Sequence, residues 1–145
     1  YIKRLIGLPG DEIQIKDGIL HINGKAAKRR KVSDFIDETN NGLYRKIPRY
    51  IETLPNGKEH FILEESDVLY SDNTQVYKVP EDHYFMMGDN RDRSKDSRFP
   101  SVGFIPRENL VGRAEFLFFS INGSFWKFWE WQNTIREKRL FTGIK

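Results

Sequence analysis

Apolar positions in this chain mostly recur every second residue, in short runs cut by turn residues. Ile2 to Ile6 reads as a short strand ending at Gly7. Leu8-Pro9-Gly10-Asp11 is a turn, because proline presets its own backbone and glycine accepts a positive φ. Glu12-Ile13-Gln14-Ile15-Lys16 alternates strictly, the mark of a half-buried strand. Asp17-Gly18 is a strong hairpin signal, Ile19 to Ile22 is the returning strand, and Asn23-Gly24 is the next turn.

The pattern then weakens. Residues 31–42 are polar and read as a loop. Leu43 to Leu54 is strand-like, interrupted by Pro48; Pro55-Asn56-Gly57 turns the chain and His60 to Leu63 runs back. Gln75 to Val79 is another short strand, and Tyr84 to Met87 leads into a charged stretch. Asn109 to Ile121 resembles one or two buried strands with a bend. Beyond that, Phe125, Trp126, Phe128, Trp129, Trp131, Ile135 and Leu140 sit among polar residues, giving a candidate short C-terminal helix over about 125–139. Two readings of that tail stand: core packing, or contact with a membrane surface, where tryptophan is at home. Many short strands with frequent turns predict an all-β fold.

Composition narrows the function. Of 145 residues, 38% are hydrophobic and 31% charged, enough to build a core and too apolar for a disordered chain. The net charge is only +3, so no nucleic-acid partner is expected; Lys28-Arg29-Arg30-Lys31 is a lone basic block and reads as a solvated hairpin or loop. The absence of cysteine excludes disulfides, thiolate metal sites and cysteine nucleophiles. His21, His60 and His83 are isolated from one another in sequence, so neither a metal nor a cofactor is expected. No run approaches the roughly 18 apolar residues of a membrane span.

The densest chemistry lies in MMGDNRDRSKDSR, residues 86–98, where Asp89, Arg91, Asp92, Arg93, Lys95, Asp96 and Arg98 interleave both signs. Read blandly, this is a solvated loop with surface ion pairs. Gly88-Asp89-Asn90 points the other way, since these residues favour tight turns and local side-chain bonds, and several arginines beside several aspartates can build a rigid, mutually paired scaffold. At the other end, Tyr1-Ile2-Lys3-Arg4-Leu5-Ile6 sets a lysine among apolar residues, with Lys3 on one face of a strand and Ile2 and Arg4 on the other.

Taken together, YIKRLIGLPGD, then FMMGDNRDRSKDSR far downstream, then VGFIPRENLVGRA resemble the type I signal peptidases (bacterial leader peptidases). The motifs cover 38 residues in the right order. The resemblance implies a serine endopeptidase with a Ser-Lys dyad. Lys3 matches the general base, which must be neutral to take the serine proton, a state that burial among apolar groups favours. Ser94 matches the serine that orients that lysine, and Gly88 the glycine packed close to it. Asp96 and Arg98, with Arg4, match a salt-bridged cluster below the site, which Asp89 is expected to join. Tyr1 and Ile2 match the substrate-binding surface. The implied fold is a Ser-Lys signal-peptidase-like β core (residues 1–11 and 80–123) with an inserted smaller β domain (12–79) and an aromatic tail (124–145). The implied partners are signal peptides of exported preproteins, small at the −1 and −3 positions, and the membrane lipid surface. The implied location is the bacterial cytoplasmic membrane, with the catalytic domain on the extracytoplasmic side.

Three departures qualify the match. The family's nucleophilic serine lies upstream of the lysine in a Ser-Met-containing motif with no counterpart here, so the chain is expected to be N-terminally shortened and inactive alone. Arg93 replaces a usual asparagine, and SRFPSVGFIP replaces the commoner Ser-Arg-Tyr-Trp-Gly pattern. A rival is a non-catalytic β-rich peptide-binding or membrane-surface module; against it, a pure binder has no need of Lys3, Ser94 and Gly88. An enzyme with Ser94 or Ser97 as its own nucleophile is a further alternative.

Overall fold

The computed structural model of the chain describes residues 1–38, 42–117 and 142–143. Their regular structure is almost entirely antiparallel strand: β1 (Arg4–Gly7), β2 (Glu12–Lys16), β3 (Ile19–Ile22), β4 (Lys25–Ala26), β5 (Lys28–Lys31), β6 (Phe35–Glu38), β7 (Tyr44–Ile47), β8 (Arg49–Thr53), β9 (Glu59–Leu63), β10 (Tyr77–Lys78), β11 (His83–Met87), β12 (Ile105–Pro106), β13 (Phe116–Leu117) and β14 (Thr142–Gly143). Helical structure among the described residues is confined to two single 3-10 turns, Tyr70–Asp72 and Arg107–Asn109. No helix among them is long and apolar enough to cross a membrane. The fold is all-β.

The strands form small sheets in the orders β1-β11-β12, β10-β2-β3-β4 and β5-β8-β9, with β6-β7 and β13-β14 as separate pairs. The hairpin signals fall where the alternation placed them. Asp17 and Gly18 both take positive φ (47° and 71°), as do Asn23 and Gly24 (51° and 75°), which matches the turn twist to the flanking strands. The alternation in β2 buries Ile13 and Ile15 and exposes Glu12 and Lys16.

Four expectations need correction or bounding. The polar segment 31–42 contains strand β6, whose Phe35 to Glu38 pair in register with Ile47 to Tyr44 of β7. The charges in Phe-Ile-Asp-Glu hid it, because a strand half exposed along its length needs little apolar character. Asn109 to Ile121 is not a buried strand over its first half: Asn109 closes a 3-10 turn, Leu110 to Arg113 are exposed, and pairing starts only at Phe116. The basic run is strand β5 rather than loop, though Lys28, Arg30 and Lys31 are exposed as expected. The C-terminal helix lies outside the described residues.

One buried cluster holds the site's neighbourhood together: Ile6, Ile13, Ile15, Leu20, Ala27, Leu54, Val79, Phe85 and Met87. It draws side chains from both sides of residue 11, so β1 and β11 pack directly on β2 and β3. The β1–β11 ladder carries an irregularity between Leu5 and Gly7, where Leu5 faces Met86 and Gly7 faces Phe85. Ile6 is the extra residue, and the bulge lets Ile6 and Gly7 both be buried. Glycine is required there: a Cβ on residue 7 would lie 2.9 Å from Ile13 Cγ1 and 3.1 Å from Phe85 Cβ.

Candidate active site

β1 and β11 lie side by side, with Arg4 opposite Met87. That register brings the residue before β1 against the loop after β11. Lys3 Nζ donates a 2.7 Å hydrogen bond to Ser94 Oγ, across 91 residues of sequence. Gly88 lies beneath the contact. A Cβ on residue 88 would sit 2.1 Å from Ser94 Oγ, 2.4 Å from Ser94 Cβ and 3.4 Å from Lys3 Nζ. A glycine at 88 is thus the condition for Ser94 to reach the amine.

Ser94 is held by a buried charge lattice. Asp96 accepts the backbone N–H of Gly88 at 2.9 Å and a forked pair from Arg98, Nε at 2.9 Å and Nη2 at 3.0 Å. Both side chains are almost wholly excluded from solvent. Burial would raise the Asp96 carboxyl, but Arg98, the Gly88 N–H and the Ser94 hydroxyl outweigh it and hold it below the usual carboxylate range. Arg98 also donates to the carbonyl of Arg91. Arg91, itself buried, forks onto Glu52 of β8, with Nη1 2.9 Å from Oε1. Behind Glu52 stands the buried His60, its Nε2 3.2 Å from Oε2 but poorly aligned for a hydrogen bond. Burial raises the Glu52 carboxyl; His60 and Arg91 more than offset this and bring it down to about 2. The loop is tied back to β11 by Ser97, whose Oγ accepts from Met86 N and whose N–H donates to Met86 O, both at 3.0 Å. A second tie runs to β9, where Leu63 N donates to Asp89 O and Arg91 N to Leu63 O.

The residues singled out in the sequence therefore divide. Lys3, Ser94 and Gly88 meet in one place, and Asp96 and Arg98 pair beneath them. Arg4 and Asp89 form their own bidentate pair, at 2.8 and 2.9 Å, on a more open face with Asp89 about half exposed. Tyr1 and Ile2 are both exposed to solvent. Sequence reading missed Glu52 and His60. Nothing in β8 or β9 marks either: Glu52 follows Arg49 and Tyr50, and His60 follows Glu59, in short strands with no spacing that singles them out. Arg91 was visible inside GDNR but not its distant partner.

A family model described as signal peptidase, peptidase S26, matches residues 1–119, which contain all of this constellation. The chain belongs to the signal peptidase family. It is 41% identical to signal peptidase I of Rickettsia typhi over an aligned length of 162, covering 99% of this chain and 59% of that protein. The same enzyme from Rickettsia rickettsii is 40% identical over 161, with the same coverage. The chain thus spans about 59% of the length of the curated signal peptidases it matches. A crystal structure of a signal peptidase I from Enterococcus faecalis is 28% identical, with a TM-score of 0.39 over 76% of this chain and 78% of that one.

Proposed function

We propose that this chain carries the general-base side of a serine endopeptidase that removes signal peptides from exported preproteins at the membrane surface. The observation that carries the reading is the 2.7 Å contact between Lys3 Nζ and Ser94 Oγ, made over a glycine that leaves room for it. The neutral Lys3 amine takes the hydroxyl proton of the nucleophilic serine as its oxygen attacks the scissile carbonyl. The resulting ammonium then protonates the leaving amine, and water hydrolyses the acyl-enzyme by the same base. Ser94 fixes the direction of the amine.

Ser94 suits an orienting role better than a nucleophilic one. It is 8% exposed, and its Oγ faces Gly88 and Lys3 rather than solvent. The nucleophile is accordingly assigned to sequence N-terminal to Tyr1, as the family resemblance implies. Tyr1 and Ile2 form part of the surface on which an extended substrate adds as a strand, with small residues at −1 and −3. Of the described residues, 1–11 and 80–117 belong to the catalytic β core, and those between 12 and 79 to an inserted β domain. The enzyme works on the extracytoplasmic side of the bacterial cytoplasmic membrane.

The test is cleavage of a signal-peptide substrate in detergent. It compares residues 1–145 with the protein carrying its upstream segment, alongside Lys3→Ala and Ser94→Ala in the longer form. The reading expects cleavage only by the longer form, abolished by Lys3→Ala and reduced by Ser94→Ala. Cleavage by residues 1–145 alone would place the nucleophile inside this chain. Vesicle binding without cleavage by the longer form would favour the membrane-surface module.

A further inference from the structure

Behind the loop that carries Ser94, three carboxylates converge from distant parts of the chain. Glu64 directly follows β9, Asp72 closes the 3-10 turn Tyr70–Asp72, and Asp92 lies in the loop after β11. One oxygen from each lies within 4.8 Å of the others. Glu64 is 3% exposed and Asp72 is fully buried. Glu64 Oε2 and Asp92 Oδ1 are both buried and have no hydrogen-bond partner among the described residues.

Local donors reach only some of the other oxygens. Asp92 Oδ2 accepts from the backbone N–H groups of Glu65 and Ser66, and Asp72 Oδ2 from that of Leu69. Asp72 Oδ1 is 3.3 Å from the Ser71 hydroxyl. Nor do the nearby cations neutralise the group. Arg29 and Arg91 are close enough to act on Glu64, and Arg98 on Asp72. Each of these arginines is already forked onto another carboxylate: Arg29 on Asp67, Arg91 on Glu52 and Arg98 on Asp96. Three carboxylates therefore share a buried corner with no cation of their own among the described residues. A buried like-charge group of this kind is costly, and leaving its oxygens unpaired adds to the cost.

We propose that Glu64, Asp72 and Asp92 bind a hard divalent cation of the Ca²⁺ class, which clamps the end of β9 and the Tyr70–Asp72 turn to the loop that holds Ser94. All the donors are carboxylate oxygens, the ligand set of hard cations; the nitrogen and sulfur that would favour zinc or copper are absent from it. Ca²⁺–oxygen distances of about 2.3–2.6 Å place two ligands on opposite sides of the ion roughly 5 Å apart, which the span of the three oxygens accommodates. Three anionic ligands leave further positions for water, as is usual for Ca²⁺. The position of the clamp has a consequence for the loop. Leu63 and Asn90 form a parallel bridge next to it, so an ion here braces the junction from which Gly88, Asp89 and Ser94 are presented.

The proposal concerns binding and does not depend on protease activity. Its test uses the chelator-treated full-length protein, titrated with CaCl₂ and separately with MgCl₂ by calorimetry, with thermal unfolding in parallel. Glu64→Gln and Asp92→Asn are compared with Glu108→Gln, an exposed carboxylate elsewhere. Saturable one-site Ca²⁺ binding is expected, with a rise in Tm of roughly 3–6 °C at ten times Kd. Glu64→Gln and Asp92→Asn should each weaken binding by at least about tenfold without lowering Tm in chelator, because neither amide adds an unpaired charge to the corner. A variant that had merely misfolded would lower Tm in chelator, so the two effects separate. Glu108→Gln should behave as wild type. Absence of saturable binding up to about ten millimolar CaCl₂, beyond the weak range of extracellular Ca²⁺ modules, would overturn the proposal. So would a Ca²⁺ response that survives both Glu64→Gln and Asp92→Asn, or a preference for Mg²⁺ over Ca²⁺.

Discussion

Replacing Gly88 by alanine adds one methyl group at the most crowded point of the candidate site. The new carbon would lie 2.1 Å from Ser94 Oγ and 2.4 Å from Ser94 Cβ, where ordinary contacts begin near 3.4 Å. Ser94 or Gly88 must therefore move by about 1 Å or more. Ser94 cannot swing away freely. Two residues on, Asp96 holds the Gly88 N–H and the Arg98 fork, and two residues back, Asp92 holds the N–H groups of Glu65 and Ser66. Backbone strain is not the cause, because Gly88 is not among the glycines with positive φ. The cost is overpacking, about 1–3 kcal/mol, and the 2.7 Å bond from Lys3 is lost with it. Gly112→Ala is the matched control: its Cβ meets none of the described residues within 4 Å, so it should stay within about 0.5 kcal/mol of wild type. Urea unfolding of the two variants gives the difference directly, and cleavage by the longer form reports on the geometry of Lys3. Equal unfolding midpoints and slopes for Gly88→Ala and Gly112→Ala would refute the steric argument.

The remaining predictions follow from burial. Arg98→Ala strands the buried Asp96 charge and should cost about 3–5 kcal/mol, whereas Arg4→Ala opens a partly exposed pair and should cost about 1 kcal/mol or less; chemical denaturation of both ranks them. Glu52 has a folded pKa of about 2, below its ordinary 4.5, so its contribution is complete above about pH 5 and disappears as the pH falls from 4.5 towards 2. The destabilisation caused by Glu52→Gln should accordingly be large at neutral pH and shrink across that window, as read by unfolding at a series of pH values. Phe85→Ala removes a fully buried ring that packs on Tyr77 at 5.2 Å and Phe104 at 6.1 Å between centroids, and should cost about 3–5 kcal/mol by thermal or urea unfolding.

What the sequence made legible depended on range. Asp17-Gly18 and Asn23-Gly24 specify their turns within two residues, because positive φ at both positions suits only a few residue types, so the hairpins could be read directly. Strand β6 could not, since Phe-Ile-Asp-Glu gains its order from pairing with β7 rather than from its own pattern. The meeting of Lys3 with Ser94 was legible only through family resemblance: each alone is an ordinary surface residue type, and nothing local states that β1 and β11 are neighbours. Glu52 and the Glu64, Asp72 and Asp92 group were not legible at all. Single carboxylates scattered over a chain carry no spacing signal, and only the fold turns them into one arginine's partner and one buried acidic corner.

The 91-residue separation of Lys3 and Ser94 also has a meaning in time. The hairpins β2-β3, β6-β7 and β8-β9 close short loops, which cost little chain entropy, while β1-β11 closes a loop spanning most of the described chain. A chain holding only its local hairpins has no Lys3–Ser94 pair. Under the proposed function, competence would belong to the finished topology: Lys3 gains its contact with Ser94 only at the step that joins the first strand to the eleventh.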